Sequence, residues 1–443
     1  MLEVADIFRA AGPEVCARLA VLPSQQRAVQ AIQQCRTAAL GGQVYGCDQC
    51  GALHYSYHSC GNRHCPKCHG QQTERWLERQ RINLLPCPYY LLTFTLPSEL
   101  RRLARSEQKL VYGLLLKAAA ASIQKLCADP QWLGAQPSLL GVLHTWTRAM
   151  LYHPHAHFLV SAGGLSADGQ HWQPAKHPKF LLPVRALSVL FRAKIRDGLK
   201  AAGKLQQVPA QAWKQKWVVH AQHAGSGQKV LDYLGRYVFR IAITQSRLEN
   251  LQDGQVTFRY RDNRTQQIKR LRLPLAEFVQ RFLQHVLPRG LAKVRHYGLA
   301  SSACRHRHAA AMALLQTISA PSQNPNSQPL SSNPLASEAI QVLRCPHCDT
   351  GRLVWLGPAL AVQKNPSMNW DPSLAPLHAL KVPDLIRPLA LGAESCPEPR
   401  QDPFNPVQRT STAFIPSTDK PDLLSHAVQR STKTTRSRRE NCK

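Results

Sequence analysis

Residues His144 to Val160 read HTWTRAMLYHPHAHFLV, and the second half of this stretch decides the fold. From His153 the order histidine, proline, histidine, alanine, histidine runs into Phe158-Leu159-Val160, an aromatic and branched segment that favours extended backbone. Alternate side chains of a strand share a face. His155 and His157 therefore stand on one side while Ala156 packs behind, and two imidazoles so spaced can converge on one metal ion. His153 is about 13 Å along the strand from His157 and too distant to join them. A third ligand must come from another strand or helix, and His144 is the candidate. The competing reading is a row of surface histidines on a half-buried strand.

Well downstream stands Tyr233-Leu-Gly-Arg-Tyr237-Val-Phe-Arg. Tyrosines four apart share one face of a helix, as a pair of nucleophiles presented to a common centre must. Taken alone they are an aromatic packing pair. Gly235 inside that helix costs about 1 kcal/mol relative to alanine, which either a close DNA backbone or tight packing would explain.

A histidine pair on a strand with a tyrosine pair on a later helix resembles the HUH endonucleases, the two-tyrosine nicking enzymes of rolling-circle replication and transposition; HTWTR, HPHAHFLV, GGL at Gly163 to Leu165, and YLGRYVFRIAITQSRL carry a more specific likeness. Within that group the chain is similar to the IS91 family of insertion-sequence transposases, from about Cys35 to about Gly298 and including LPRGLAKVRHYGL. The resemblance implies an α+β fold, a ferredoxin-like HUH nuclease domain with a central antiparallel sheet. It also implies Tyr233 and Tyr237 as nucleophiles and an N-terminal zinc-binding domain that contacts element DNA. The loop at His223-Ala-Gly-Ser-Gly-Gln departs from the family pattern, so the placing of the tyrosine helix is the weakest part of the likeness.

The 443 residues are enough for two or three domains. Lys and Arg number 56 against 26 Asp and Glu, a net charge of +30 spread along the chain, which points to a nucleic-acid partner ahead of a membrane surface. There is no run of about 18 apolar residues, and the acidic start MLEVADIFRAAGPEV is unlike a signal peptide. An intracellular, cytoplasmic and nucleoid-associated protein is expected. Reduced cysteines follow, so the cluster from Cys47 to Cys68 reads as metal ligands and not as disulfides.

In chain order, residues 1–85 read as a helical lead-in, broken at Pro23, plus a zinc-binding domain. Two CxxC knuckles, Cys47-Asp-Gln-Cys50 and Cys65-Pro-Lys-Cys68, suit a structural tetrahedral Zn²⁺, and Cys60 or His64 could replace one thiolate. Arg63 and Lys67 beside the knuckle, with Arg236 and Arg240 on the tyrosine helix, are candidate DNA contacts. Residues 86–315 form the two-tyrosine transposase domain. It begins with a strand at Tyr89 to Leu96, a basic amphipathic helix over Leu100 to Leu126 and the two histidine-bearing strands. A turn at Ser166 to Trp172, a helix over Val184 to Ala202 and a short strand near Trp217 follow. A hairpin pairs Val256–Tyr260 with Ile268–Leu273, and an apolar helix follows it. Residues 316–443 read as a low-complexity linker, then Cys345-Pro-His-Cys348 as a lone half-site, then a disordered basic tail from residue 357.

The chemistry these residues suit is metal-assisted cleavage of one DNA strand. His155, His157 and His144 would hold Mg²⁺ or Mn²⁺ against the scissile phosphate while a tyrosine hydroxyl attacks, forming a 5′-phosphotyrosine that conserves the bond for rejoining. The expected DNA is single-stranded or a transposon end. Two rivals remain: a zinc-dependent DNA-binding regulator without catalysis, and a plasmid replication initiator or relaxase with the same chemistry.

Overall fold

The aromatic and branched run Tyr89–Thr95 forms β1, the second-from-edge strand of an antiparallel sheet. With it are β2 (Ser138–Trp146), β3 (Tyr152–Ser161), β4 (Val219–Gly225) and β5 (Val294–Gly298), in the order β5-β2-β3-β1-β4. Every neighbouring pair is antiparallel. In this computed structural model, residues 2–177, 180–225, 229–230, 235, 242–262, 264–319, 343–348 and 350–362 are described, with 69–72 by backbone only. Two units divide the chain: Met1–Gln33 with Gly61–Leu330, and Gln34–Cys60 with Ser331–Lys443. The expected segment 1–85 is thus shared between both.

In the first unit, helices Gln108–Ala128 and Val184–Ala201 follow β1 and β3. Even-numbered residues of β1 and β3 point toward them, so Leu92, Phe94, Phe158 and Val160 join Tyr112, Leu115, Phe191 and Ile195 in one core. Phe94 meets Phe191 and Phe158 edge-on, with centroids 5.1 and 5.8 Å apart. The single helix expected over Leu100 to Leu126 is two, Arg101–Ser106 and Gln108–Ala128, because Glu107 leaves helical geometry and its carboxylate pairs with Lys204. Gln108–Ala128 is long and apolar enough to cross a membrane by composition. Here its apolar side, including Val111, Leu116 and Ile123, is buried, while Lys109, Lys117 and Lys125 are exposed.

Odd-numbered residues of β1 and β3 and the even ones of β2 define the opposite face. Tyr89, Leu140, Val142 and Leu159 pack there with Trp76 and Leu77 of helix His69–Asn83, with Val230, and with Ala311 and Leu315 of helix Arg305–Ser319.

The N-terminal helices Val4–Arg18 and Pro23–Gln34 belong to this unit, and Pro23 opens the second helix where its missing N–H costs nothing. Phe8 meets Phe282 edge-on at 5.2 Å, and Gln25 donates to the Leu283 carbonyl at 2.8 Å. Their partner is the helix Leu275–Leu283. Before it, the expected hairpin is present as Gln255–Arg261 paired with Ile268–Pro274, and Leu248–Gln252 adds a third strand.

The second unit is a three-stranded sheet with Gly42–Cys47 central, flanked by Leu53–Tyr57 and Leu353–Ala359. Ordered chain thus runs past residue 357, where a tail was expected to begin. Pro358 fits because an edge strand need hydrogen-bond on one side alone.

Candidate active site

Antiparallel pairing of β2 with β3 sets His144 directly opposite His155, and Val142 opposite His157. All three histidines lie on the face away from the two long helices. Their ligating nitrogens are within 4.8 Å of one another, and ring centroids are 5.4, 4.8 and 4.9 Å apart for 144–155, 144–157 and 155–157. The hairpin therefore supplies a convergent three-imidazole set from two neighbouring strands.

Outer contacts orient these rings. The Nδ1 of His155 is 2.7 Å from the His153 carbonyl, so Nδ1–H donates there and Nε2 carries the lone pair. Thr93, opposite His157 on β1, holds its Oγ1 3.0 Å from His157 Nδ1. Metal-bound imidazoles usually have such a partner on the second nitrogen. Burial pushes the His155 imidazole down to about 4, which keeps it neutral and able to bind metal at physiological pH. His144 stacks on Trp146 at 4.9 Å. His153 shares the face but is turned to Arg101, whose guanidinium donates to its Nδ1 at 3.2 Å.

Sequence reasoning missed Thr93. Its signal was the alternation within YYLLTFTL, which sets Thr93 and Thr95 on the side opposite Leu92 and Phe94.

Tyr233, Tyr237, Arg236 and Arg240 lie outside the described residues. Three residues of their segment are described, Lys229, Val230 and Gly235. Val230 is buried with Leu140, Val142 and Leu159 on the histidine-bearing side of the sheet. At Gly235 an added Cβ would come 3.0 Å from Leu77 Cδ1, so packing against a side chain accounts for that glycine.

The cysteines depart from expectation. Cys47 and Cys50 close on Cys345 and Cys348 within the second unit, so the set Cys47, Cys50, Cys65 and Cys68 is not the grouping found, and Cys345-Cys348 is no lone half-site. Spacing rules detect knuckles that are neighbours in sequence, and Cys50 and Cys345 are 295 positions apart. Cys65 and Cys68 are buried on one turn of the first unit, where the Cys68 N–H donates to the Cys65 carbonyl at 3.2 Å. Cys60 is half-buried.

Residues 139–308 match a family model described as "Putative transposase", and residues 7–96 match one described as "Transposase zinc-binding domain". A Sinorhizobium fredii protein, "Putative transposase y4qJ", is 40% identical over 375 residues, spanning 80% of this chain and 94% of its own. The chain belongs to the IS91 family of insertion-sequence transposases. A second relative, "Transposase for insertion sequence element IS801" of Pseudomonas savastanoi pv. phaseolicola, is 30% identical over 292 residues, covering 61% of this chain and 69% of its own. No solved structure matches.

Two expected DNA contacts of this transposase are turned inward. Arg63 donates to the carbonyls of Leu291, Pro288 and Leu287 at 2.6, 2.8 and 3.2 Å, and burial lowers its pKa. Lys67 pairs with Glu3 at 2.6 Å. The Nε2 of His64 accepts the Leu287 N–H at 3.2 Å, which ties the same turn to residues 287–291. Cations beside a knuckle in sequence look available to phosphates, yet Arg63 and Lys67 are paired within the first unit.

Proposed function

We propose that this transposase nicks and rejoins single DNA strands through a 5′-phosphotyrosine intermediate during rolling-circle transposition. The observation that carries the reading is the convergence of His144, His155 and His157 on one face of the central sheet strands. Counting only β1 to β4, the order β4-β1-β3-β2 with a helix after β1 and after β3 agrees with a ferredoxin-like HUH domain. Further support comes from the segment around Tyr233. Val230 before it is buried on the histidine-bearing side, and Gly235 after it approaches Leu77 of the same apolar cluster.

A divalent ion held by the three imidazoles would polarise the scissile phosphate. Nitrogen donors suit Mn²⁺ or a later transition ion better than Mg²⁺, which prefers oxygen. Thr93 and the His153 carbonyl fix the rings of His157 and His155. A tyrosine hydroxyl near pKa 10 is about one part in a thousand ionised at neutral pH, so activation beside the phosphate is needed. In the step itself the tyrosine oxygen bonds to phosphorus, the bond from phosphorus to O3′ breaks, and the phenolic proton passes by way of water to the 3′-oxygen, which leaves as a hydroxyl. Two tyrosines allow one strand end to stay covalently held while a second is cut. Cys65 and Cys68 serve a structural zinc in the zinc-binding domain.

The test is a nicking assay on single-stranded element ends with Mn²⁺. A protein-linked product is expected, lost in the Tyr233→Phe, Tyr237→Phe double variant and in His157→Ala. Undiminished product from either variant, or specific DNA binding with no cleavage under any divalent ion, would overturn the reading.

A further inference from the structure

Cys345-Pro-His-Cys348 lies outside both family matches, which cover residues 7–96 and 139–308. In the second unit it faces Cys47 and Cys50. The Sγ atoms of Cys47 and Cys348 are 3.6 Å apart, those of Cys50 and Cys345 are 3.7 Å apart, and all four lie within 4.8 Å of one another. Four thiolates about 2.3 Å from a tetrahedral zinc ion have their sulfurs about 3.8 Å apart. A disulfide requires about 2.05 Å. The spacing is that of a metal tetrathiolate.

The backbone around the thiols is arranged for thiolates. The amides of Gln49 and Cys50 each donate to Cys47 Sγ at 3.4 Å, His347 donates to Cys345 Sγ at 3.3 Å, and Gly351 to Cys348 Sγ at 3.3 Å. Such donors disperse charge on sulfur and orient it, as outer contacts of metal ligands do. At position 351 a Cβ would come 2.2 Å from Cys47 Sγ and 3.1 Å from Cys348 Sγ, so the second knuckle can close only over a glycine. Strand pairing brings the knuckles together: Cys47 is opposite Leu353, the Asp48 N–H donates to the Arg352 carbonyl, and the Arg352 N–H donates to the Asp48 carboxylate at 2.7 Å.

An independent observation is how little else holds this sheet. Leu53, Tyr55, Val354, Trp355 and Leu356 are between 44% and 58% exposed, whereas Cys47 and Cys345 are buried. So small a sheet, with large side chains half in water and one cysteine of each knuckle buried, gains much of its stability from a metal.

We infer that Cys47, Cys50, Cys345 and Cys348 bind one structural zinc ion, forming a ribbon whose two knuckles come from opposite ends of the chain. The zinc-binding module of this transposase is therefore incomplete without the segment beyond residue 343. Residues 61–330, which carry the whole five-stranded sheet of the first unit, are an insertion between the two halves of that zinc ribbon in sequence.

Zinc content of the full chain tests this, comparing wild type with the Cys345→Ser, Cys348→Ser pair, the Cys47→Ser, Cys50→Ser pair and all four together. Each pair is expected to lose one zinc equivalent, and the fourfold variant no more than either pair. Full zinc content in the Cys345→Ser, Cys348→Ser variant, or loss of two equivalents in the fourfold one, overturns the assignment. Should the variants fail to fold, alkylation of the wild-type chain during chelator titration gives the same answer. All four thiols become reactive together if one ion holds them, whereas Cys345 and Cys348 reacting before any chelator is added would refute it. Neither readout depends on DNA cleavage.

Discussion

His144 and His155 face each other across adjacent antiparallel strands, their ring planes at 86° and their centroids 5.4 Å apart. His153, on the same strand and face as His155, is instead hydrogen-bonded by Arg101. If the three convergent rings are a metal centre, these two flanking histidines should behave differently. His144→Ala is expected to weaken Mn²⁺ binding at least about tenfold, and His153→Ala to leave it within about twofold. Calorimetric titration of the two variants checks this, and equal losses would remove His144 from the ligand set.

Thr93 touches no proposed substrate position, yet its hydroxyl meets the rear nitrogen of His157. Thr93→Val keeps the shape and deletes that partner. Metal affinity should fall about 10- to 100-fold. Thr93→Ser should restore it, because the oxygen returns. A Val variant that binds Mn²⁺ like wild type would mean the contact does not orient the ring.

The histidine strand was legible because its evidence is local: a period of two between His155 and His157, an apolar partner face, and a nearby strand carrying His144. Likewise the hairpin around Asp262 and the helix from Val184 follow from patterns a few residues long. The zinc ribbon was not, since Cys50 and Cys345 are 295 positions apart and nothing in either knuckle names its partner. Arg63 misled for a related reason. Charge and sequence neighbourhood suggested phosphate contacts, but the direction of the side chain is decided by the Leu287 to Leu291 turn, distant in sequence.

That inward direction gives a separable outcome. Arg63→Ala leaves three backbone carbonyls without their charged donor, and stability should drop by about 1–3 kcal/mol. The slope of log affinity for DNA against log salt should not change. A lost phosphate contact would instead reduce it by about one. Denaturant melts and salt-dependent binding on one preparation distinguish these results.

Gly141 on β2 is opposite Phe158 on β3, and a Cβ there would lie 2.7 Å from Phe158 Cε1 and 2.8 Å from Cζ. The ring fills the space a side chain would occupy, in the core beneath the histidine face. Gly141→Ala should overpack this point and cost about 1–3 kcal/mol by chemical denaturation. A neutral or stabilising effect would show that the ring can move aside.

His285 gives the pH dependence. It is 4% exposed, its Nε2–H donates to the carbonyl of Met150 at 3.2 Å, and Thr145 Oγ1 is 3.2 Å from its Nδ1. Met150 is a buried non-glycine residue at φ 59° in the turn joining β2 to β3, so His285 braces a strained hairpin. Burial pushes the imidazole down to about 4, and Arg105 acts in the same direction. Of the other groups packed nearby, Tyr152 is neutral across this range, and Arg281 donates to the Ala149 carbonyl and pairs with Glu277. Unfolded, the histidine titrates at 6.5, so between 6.5 and 4 the unfolded chain binds more protons. Stability from this group is therefore complete above pH 6.5 and falls as pH drops to 4, by up to about 3 kcal/mol. His285→Gln should flatten that slope in denaturant titrations from pH 7 to pH 4. A variant whose stability falls as steeply as wild type would place the acid sensitivity elsewhere.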